Sequence, residues 1–104
     1  MLNQIILVGR IASDLEINET KDNRKEVIIK LAVQRNFKNE NGIYEIDFIP
    51  CTLLNEIAEN TVKYCKQSDL IGVRGRLQSN ENKSIVVIAE KVTFLSSKVS
   101  NETE

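Results

Sequence analysis

A chain of 104 residues has room for one domain and one modest core, and no apolar run in it approaches the roughly 20 residues of a membrane helix. Fourteen basic against fifteen acidic residues leave a net charge of −1, which excludes a global basic field and requires any polyanion to be met by locally placed cations. Histidine is absent, which removes the commonest general base and every histidine-dependent triad, and Cys51 and Cys65 alone cannot supply the about four ligands of a zinc site.

Asn3 to Ala12 read as a first strand, with apolar residues at successive positions so that both faces are greasy. Gly9 inside it points to a bulge or sharp coil. The strand is expected to resume over Leu15 to Asn18, and Glu19 to Lys25 is a polar loop. Glu26 to Arg35 form a second strand with Val27, Ile29, Leu31 and Val33 on one face. Asn36 to Gly42 read as a polar loop that contains Phe37 and ends in the turn signal Asn41-Gly42.

Ile43 to Leu53 form a third strand, with Tyr44, Ile46 and Phe48 opposite Glu45, Asp47 and Ile49. Pro50 has no N–H for a ladder and belongs at an edge or a bulge. Asn55 to Lys66 form a helix with Asn55 as its N-cap and a stripe of Leu54, Ile57, Ala58, Thr61, Val62 and Cys65. Leu70 to Leu77 form a fourth strand, coiled tightly at Gly72 and Gly75. Gln78 to Ser84 are a short loop, and Ile85 to Leu95 a fifth strand, again apolar on both faces. Both cysteines fall on apolar faces, which favours buried reduced thiols over a disulfide or a reactive thiol.

This order predicts an all-β protein: a five-stranded Greek-key barrel of the OB-fold class with one helix between strands 3 and 4. Residues 1–98 form the domain, and 99–104 a polar, disordered tail. A strand apolar on both sides must bury its second side elsewhere; a subunit interface does so, and the chain's own loops are the alternative. No carboxylate pair is marked out for catalysis, so no enzyme, metal or cofactor is expected. The N-terminus carries no signal-peptide pattern, and a cytoplasmic location follows as an expectation.

Several segments carry a resemblance. Met1-Leu2-Asn3-Gln4-Ile5-Ile6-Leu7-Val8-Gly9-Arg10, followed by Asp14-Leu15-Glu16, resembles the start of bacterial-type single-stranded DNA-binding proteins. So do Leu31 to Phe37, Asn41-Gly42, Asp47-Phe48-Ile49-x-Cys51, Ala58-Glu59-Asn60, and Gly72-Val73-x-Gly75-Arg76-Leu77-Gln78, in the same order across nearly the whole chain. The resemblance implies sequence-independent binding and protection of single-stranded DNA in replication, recombination and repair. It also implies a homotetramer packed through the first strand, here Leu2, Ile6 and Val8.

Binding any sequence requires flat apolar platforms for bases and cations for phosphates. Phe37 lies between Asn36 and Lys38 and by resemblance occupies a stacking position, with a loop anchor as the alternative. Phe48 also matches a stacking position, although core or interface packing would account for it; Tyr44 shares its face, and Leu54 stands where the family usually carries a ring. Arg35 and Lys38 flank Phe37 and are candidate phosphate contacts. Arg10, Arg74 and Arg76 join them on strands, and Lys21, Arg24, Lys25 and Lys83 in loops. Departures from the family pattern are the absence of tryptophan, neutral or acidic Gln4, Pro50 and Glu56 at positions commonly basic, a short loop between the last two strands, and an ending at Asn101-Glu102-Thr103-Glu104 in place of an acidic tip with a terminal aromatic. They imply weaker or more salt-sensitive binding and make tail-mediated recruitment of repair enzymes doubtful. Two other readings share the composition: a dimeric primosome-type OB protein that assists replication restart, and a protein-interaction barrel with weak DNA binding.

Overall fold

The computed structural model of the protein describes residues 1–96; the expected tail from 99 to 104 lies outside the described residues. The elements are β1 (Ile5–Ile11), β2 (Asn18–Glu19), β3 (Lys25–Lys38), β4 (Tyr44–Leu54), α1 (Asn55–Tyr64), β5 (Leu70–Ser79) and β6 (Ile85–Phe94). The sheet runs β1-β5-β6-β4-β3-β2, and a second pairing of β1 with β3 closes it. Without the two-residue β2, the remaining strands form the five-stranded barrel expected, with α1 between the third and fourth of them. β4 and β6 close parallel to one another through Cys51↔Val87 and Thr52↔Ile88, and the other pairings are antiparallel.

Period-2 alternation sets the inside of the barrel. Val27, Ile29 and Leu31 of β3 face Leu53, Cys51 and Ile49 of β4 across the ladder, and all but the last are fully buried. Ile11, Ile71, Val73, Val87 and Ala89 complete the core. α1 lies against β3, β4 and β6, burying Ala58 and Thr61. Cys51 and Cys65 are free thiols, both buried, and burial pushes each thiol pKa up to about 11.

Two glycines mark where backbones meet. β1 leaves β5 and joins β3 at Arg10, which pairs with both Leu70 and Ala32. A Cβ on the adjacent Gly9 would lie 2.2 Å from the Ala32 carbonyl oxygen. The β5–β6 register slips between Arg74 and Gly75, and a Cβ on Gly75 would lie 2.1 Å from the Ile88 carbonyl oxygen. Of the bulge or sharp coil expected at Gly9, the unbroken β1–β5 register excludes the bulge, and the glycine marks a close approach of backbones. Gly72, whose Cβ would meet nothing nearer than 3.8 Å, has no such constraint.

Other expectations need correction. Phe37 belongs to β3 and not to a loop, because the hairpin ladder continues to Lys38↔Tyr44 and leaves only residues 39–43 for the turn. Leu15 to Ile17 do not extend the first strand; only Asn18 and Glu19 pair, against Glu26 and Lys25. Ahead of them the Ser13 hydroxyl accepts from the Lys30 N–H at 2.9 Å, standing in for a ladder bond. Asn55 is not the N-cap: that place falls to Leu54, which makes no side-chain cap bond, and the helix ends at Tyr64. On β6 the second apolar face is covered by the chain itself, since Ile88 is buried and Val86 half-buried.

Pro50 sits where its missing N–H costs no ladder bond. Its partner across the ladder is Lys30, whose N–H and C=O are turned to Ser13 and Ala12 on the other side. In an antiparallel pair the two residues then bond outward, so the Pro50 nitrogen faces away from β3.

Three hairpin loops share one construction. In each, the first residue's side-chain oxygen accepts backbone N–H groups two and four residues on: Thr20 from Asp22 and Arg24, Asn39 from Asn41 and Ile43, Asn80 from Asn82 and Ser84. The fourth residue of each is left-handed: Asn23 at φ 62°, Gly42 at 77° and Lys83 at 65°. Asparagine and glycine tolerate that conformation, but lysine pays for it in Cβ crowding. Lys83→Gly is therefore expected to raise stability by about 0.5–1 kcal/mol, read from the midpoint of chemical denaturation; a lower midpoint would mean that Lys83 makes compensating contacts.

Candidate functional site

The barrel's outward face over β3 and β4 is apolar where a monomer's surface is ordinarily polar. Along β4 the residues alternating with the buried row are Tyr44, Ile46, Phe48, Pro50, Thr52 and Leu54, successive ones about 6.8 Å apart. Phe48 is 57% exposed and Phe37 63%, and Tyr44 and Ile46 are also open. Burial would have removed both rings as base platforms; neither is buried. Leu54, at the far end of the strand beside α1, is half-covered.

The floor beside Phe48 is built from small and basic residues. Ala32 stands opposite Phe48, and Arg10 stands opposite Ala32 on the next strand, which puts Arg10 about 10 Å from Phe48 across two strand spacings. The minimal side chain of Ala32 leaves room between them. A shallow groove of about 280 Å³ runs alongside, lined by Val8, Arg10, Ala32, Gln34, Ile46 and Leu70. Arg10 donates one guanidinium N–H to the Ser68 carbonyl at 3.1 Å, which directs the arm without neutralising it. At the hairpin end, the Lys38 ammonium lies 5.6 Å from the centre of the Tyr44 ring, a cation and a platform in one place.

The remaining cations divide by their partners. Arg74 stands in register with Ile6 and Lys91 on the outward face, and it makes no ion pair among the described residues. Lys21 and Lys83 are exposed near their loop tips. Arg35 holds Asp47 through two N–H bonds of 3.0 and 2.9 Å and Glu45 at 2.6 Å. Arg76 pairs with Glu90 at 3.1 Å, Arg24 with Asp22 at 3.9 Å, and Lys25 with Glu59 of α1. The Asp47 carboxyl is held below its ordinary value, chiefly by the Arg35 hydrogen bonds. The Lys25 ammonium is raised, chiefly by its bond to Glu59.

The sequence reading passed over Lys30 and Lys91. Lys30 is exposed on the outward face, two residues from Ala32 and opposite Pro50, hence diagonal to Phe48. Lys91 flanks Arg74. Strand alternation alone could have found Lys30, because it shares the parity of Ile28 and Ala32. Lys91 depends on the slipped β5–β6 register and carried no such signal.

On β1, Ile6 and Val8 point outward at 67% and 51% exposure, and Leu2 ahead of them is fully open. Their row joins the Phe48 face through the groove that Val8 lines.

Comparison with known proteins agrees over the whole domain. The model of the single-strand binding protein family matches residues 2–95. The chain is 41% identical over 106 residues to single-stranded DNA-binding protein B of Bacillus subtilis, covering 94% of each chain. It is 37% identical over 110 residues to single-stranded DNA-binding protein 1 of Streptococcus agalactiae, covering 98% of this chain and 68% of that one. Among solved structures, a deletion mutant of the single-stranded DNA binding protein from Thermus aquaticus superposes with a TM-score of 0.72 at 25% identity. That match covers 91% of this chain and about half, 51%, of the Thermus chain.

Proposed function

This chain belongs to the single-strand binding protein family, and from that premise we propose that it binds single-stranded DNA irrespective of sequence, along the outward face of β3 and β4. The observation that carries the reading is the exposure of Phe48 on a sheet face that also presents Arg10, Lys30 and Lys38, with Phe37 exposed in the slipped segment at the hairpin end of β3. Every base offers a π face, so rings on an open sheet bind without reading an edge, while cations hold the backbone. Phe37, Phe48 and Tyr44 are the stacking residues, with Leu54 a lesser apolar contact. Arg10, Lys38 and Arg74 are the leading phosphate contacts, and Lys21 and Lys83 serve from the loops. Arg24, Lys25 and Arg76 would first have to leave their carboxylates.

The role is binding and not catalysis: coating single strands in replication, recombination and repair, in the cytoplasm. No helix among the described residues is long and apolar enough to cross a membrane. The exposed Leu2, Ile6 and Val8 support assembly of β1 against a second copy, as a homotetramer; mass in solution distinguishes that from a dimer.

The test is a fluorescence anisotropy titration of labelled oligo-dT over a range of salt concentrations. Affinity is expected to fall on a log–log plot with a slope of about −0.7 for each phosphate neutralised. Absent binding, or binding indifferent to salt, would overturn the reading.

A further inference from the structure

Arg35 lies beside Phe37, yet its guanidinium is already committed. Nε and Nη2 donate to the two carboxylate oxygens of Asp47 in a parallel fork, and Nη1 donates to Glu45 Oε1. The other Glu45 oxygen accepts from Asn39 Nδ2 at 3.2 Å. Arg35 and Asn39 stand two residues to either side of Phe37, so one carboxylate is bonded from both flanks of the ring-bearing segment. Asn39 in turn organises the hairpin tip through the Asn41 and Ile43 N–H groups.

The backbone gives a reason for this arrangement. The β3–β4 ladder is regular up to Gln34↔Ile46 and next pairs at Lys38↔Tyr44, with a register slip between. Residues 35–37 therefore lack the regular ladder that orients the side chains of the rest of β3. Side-chain bonds from Arg35 take its place. The cluster also carries one positive charge against two negative ones, a net −1, so a phosphate arriving at Arg35 would meet an excess of anion.

We propose that Arg35 is a positioning residue for single-stranded DNA binding: by holding Asp47 and Glu45 it fixes the slipped segment so that Phe37 stays exposed for stacking, and it makes no phosphate contact. This rests on the single-strand reading above and assigns to the residue a role other than the one its basic charge and place in the sequence imply. A lysine cannot replace it, because the fork needs three N–H groups in one plane and an ammonium offers only a point charge.

The test measures oligo-dT affinity against salt for the wild-type protein, Arg35→Lys, and the charge-balanced pair Arg35→Gln with Asp47→Asn, each alone and in a Phe37→Ala background. A circular dichroism melt of each variant establishes that it is folded. Positioning predicts that both variants bind more weakly than wild type, by no more than the factor Phe37→Ala itself produces. It predicts an unchanged salt slope, and no further loss once Phe37 is gone. Wild-type affinity in Arg35→Lys, a slope reduced by about 0.7 in the paired variant, or an undiminished loss in the Phe37→Ala background would each overturn the proposal alone. Failure of the wild-type protein to bind in a salt-dependent way would overturn the single-strand reading and this proposal with it.

Discussion

Gly9→Ala is expected to cost the fold about 3 kcal/mol, at the upper end of overpacking losses, and Gly75→Ala a similar amount. The new Cβ would stand 2.2 Å from the Ala32 carbonyl oxygen in the first case and 2.1 Å from that of Ile88 in the second. Both obstacles are backbone, which cannot swing aside as the tip of a flexible side chain can. Strand β3 would have to withdraw from β1 at the seam that closes the barrel, or β6 from β5 at its register slip. Against a typical total of about 5–15 kcal/mol, such a loss leaves a marginal domain. Gly72→Ala is the internal control. Its Cβ would find ordinary contacts with Leu95, Leu7 and Val8 at 3.8–3.9 Å, and removing a strand glycine should help by about 0.5 kcal/mol. Urea denaturation of the three variants checks both halves. Equal midpoints for Gly9→Ala and Gly72→Ala would mean that β1 and β3 do not approach as closely as described.

Removing the exposed rings should weaken DNA binding while leaving the fold intact. Phe37→Ala and Phe48→Ala are each expected to lose about 1–3 kcal/mol of oligo-dT affinity, the contribution of one stacked base. That corresponds to roughly fivefold to a hundredfold in Kd. Because most of each ring faces water, truncation creates no core cavity, and the denaturation midpoint should hardly move. The salt slope should also stay constant, since no cation is removed. Arg10→Gln should behave in the opposite way, with a slope shallower by about 0.7 if it meets one phosphate. Titrations of the three variants at several salt concentrations separate these contributions. Wild-type affinity in both phenylalanine variants would move the DNA path away from the β3–β4 face.

Much of this was legible in the chain. Alternation over Val27 to Val33 set apart the apolar row of β3 that faces the core, because inside and outside of a strand differ by one residue. On β4 it separated Tyr44, Ile46 and Phe48 from Ile49 without deciding which row is buried, since both carry large apolar residues. The order of strands around the helix was readable from turn signals. Phe37 was placed in a loop because polar residues surround it, yet the ladder reaches Lys38; a hairpin's length is decided by both strands together. Asn55 looked like an N-cap by residue type, but β4 runs directly into the helix and leaves Leu54 in that place.

The charged residues show the boundary most clearly. Local order singled out Arg35 as a phosphate contact for its place near Phe37, and it named Arg10, Arg74 and Arg76 as further cations without distinguishing them. Arg10 and Arg74 keep their charge unpaired among the described residues, while Arg35 and Arg76 are matched to Asp47, Glu45 and Glu90 on neighbouring strands. Alternation and element order depend on residues near one another in sequence, and the sequence by itself determined the barrel and the core row of β3, while the exposure of Phe37 and Phe48 came from the structure. Ion pairing and the need for Gly9 and Gly75 depend on which residues face one another across the ladder. That register is set only when distant strands close the barrel, so the tertiary structure alone decided which cations stand unpaired and which glycines are indispensable.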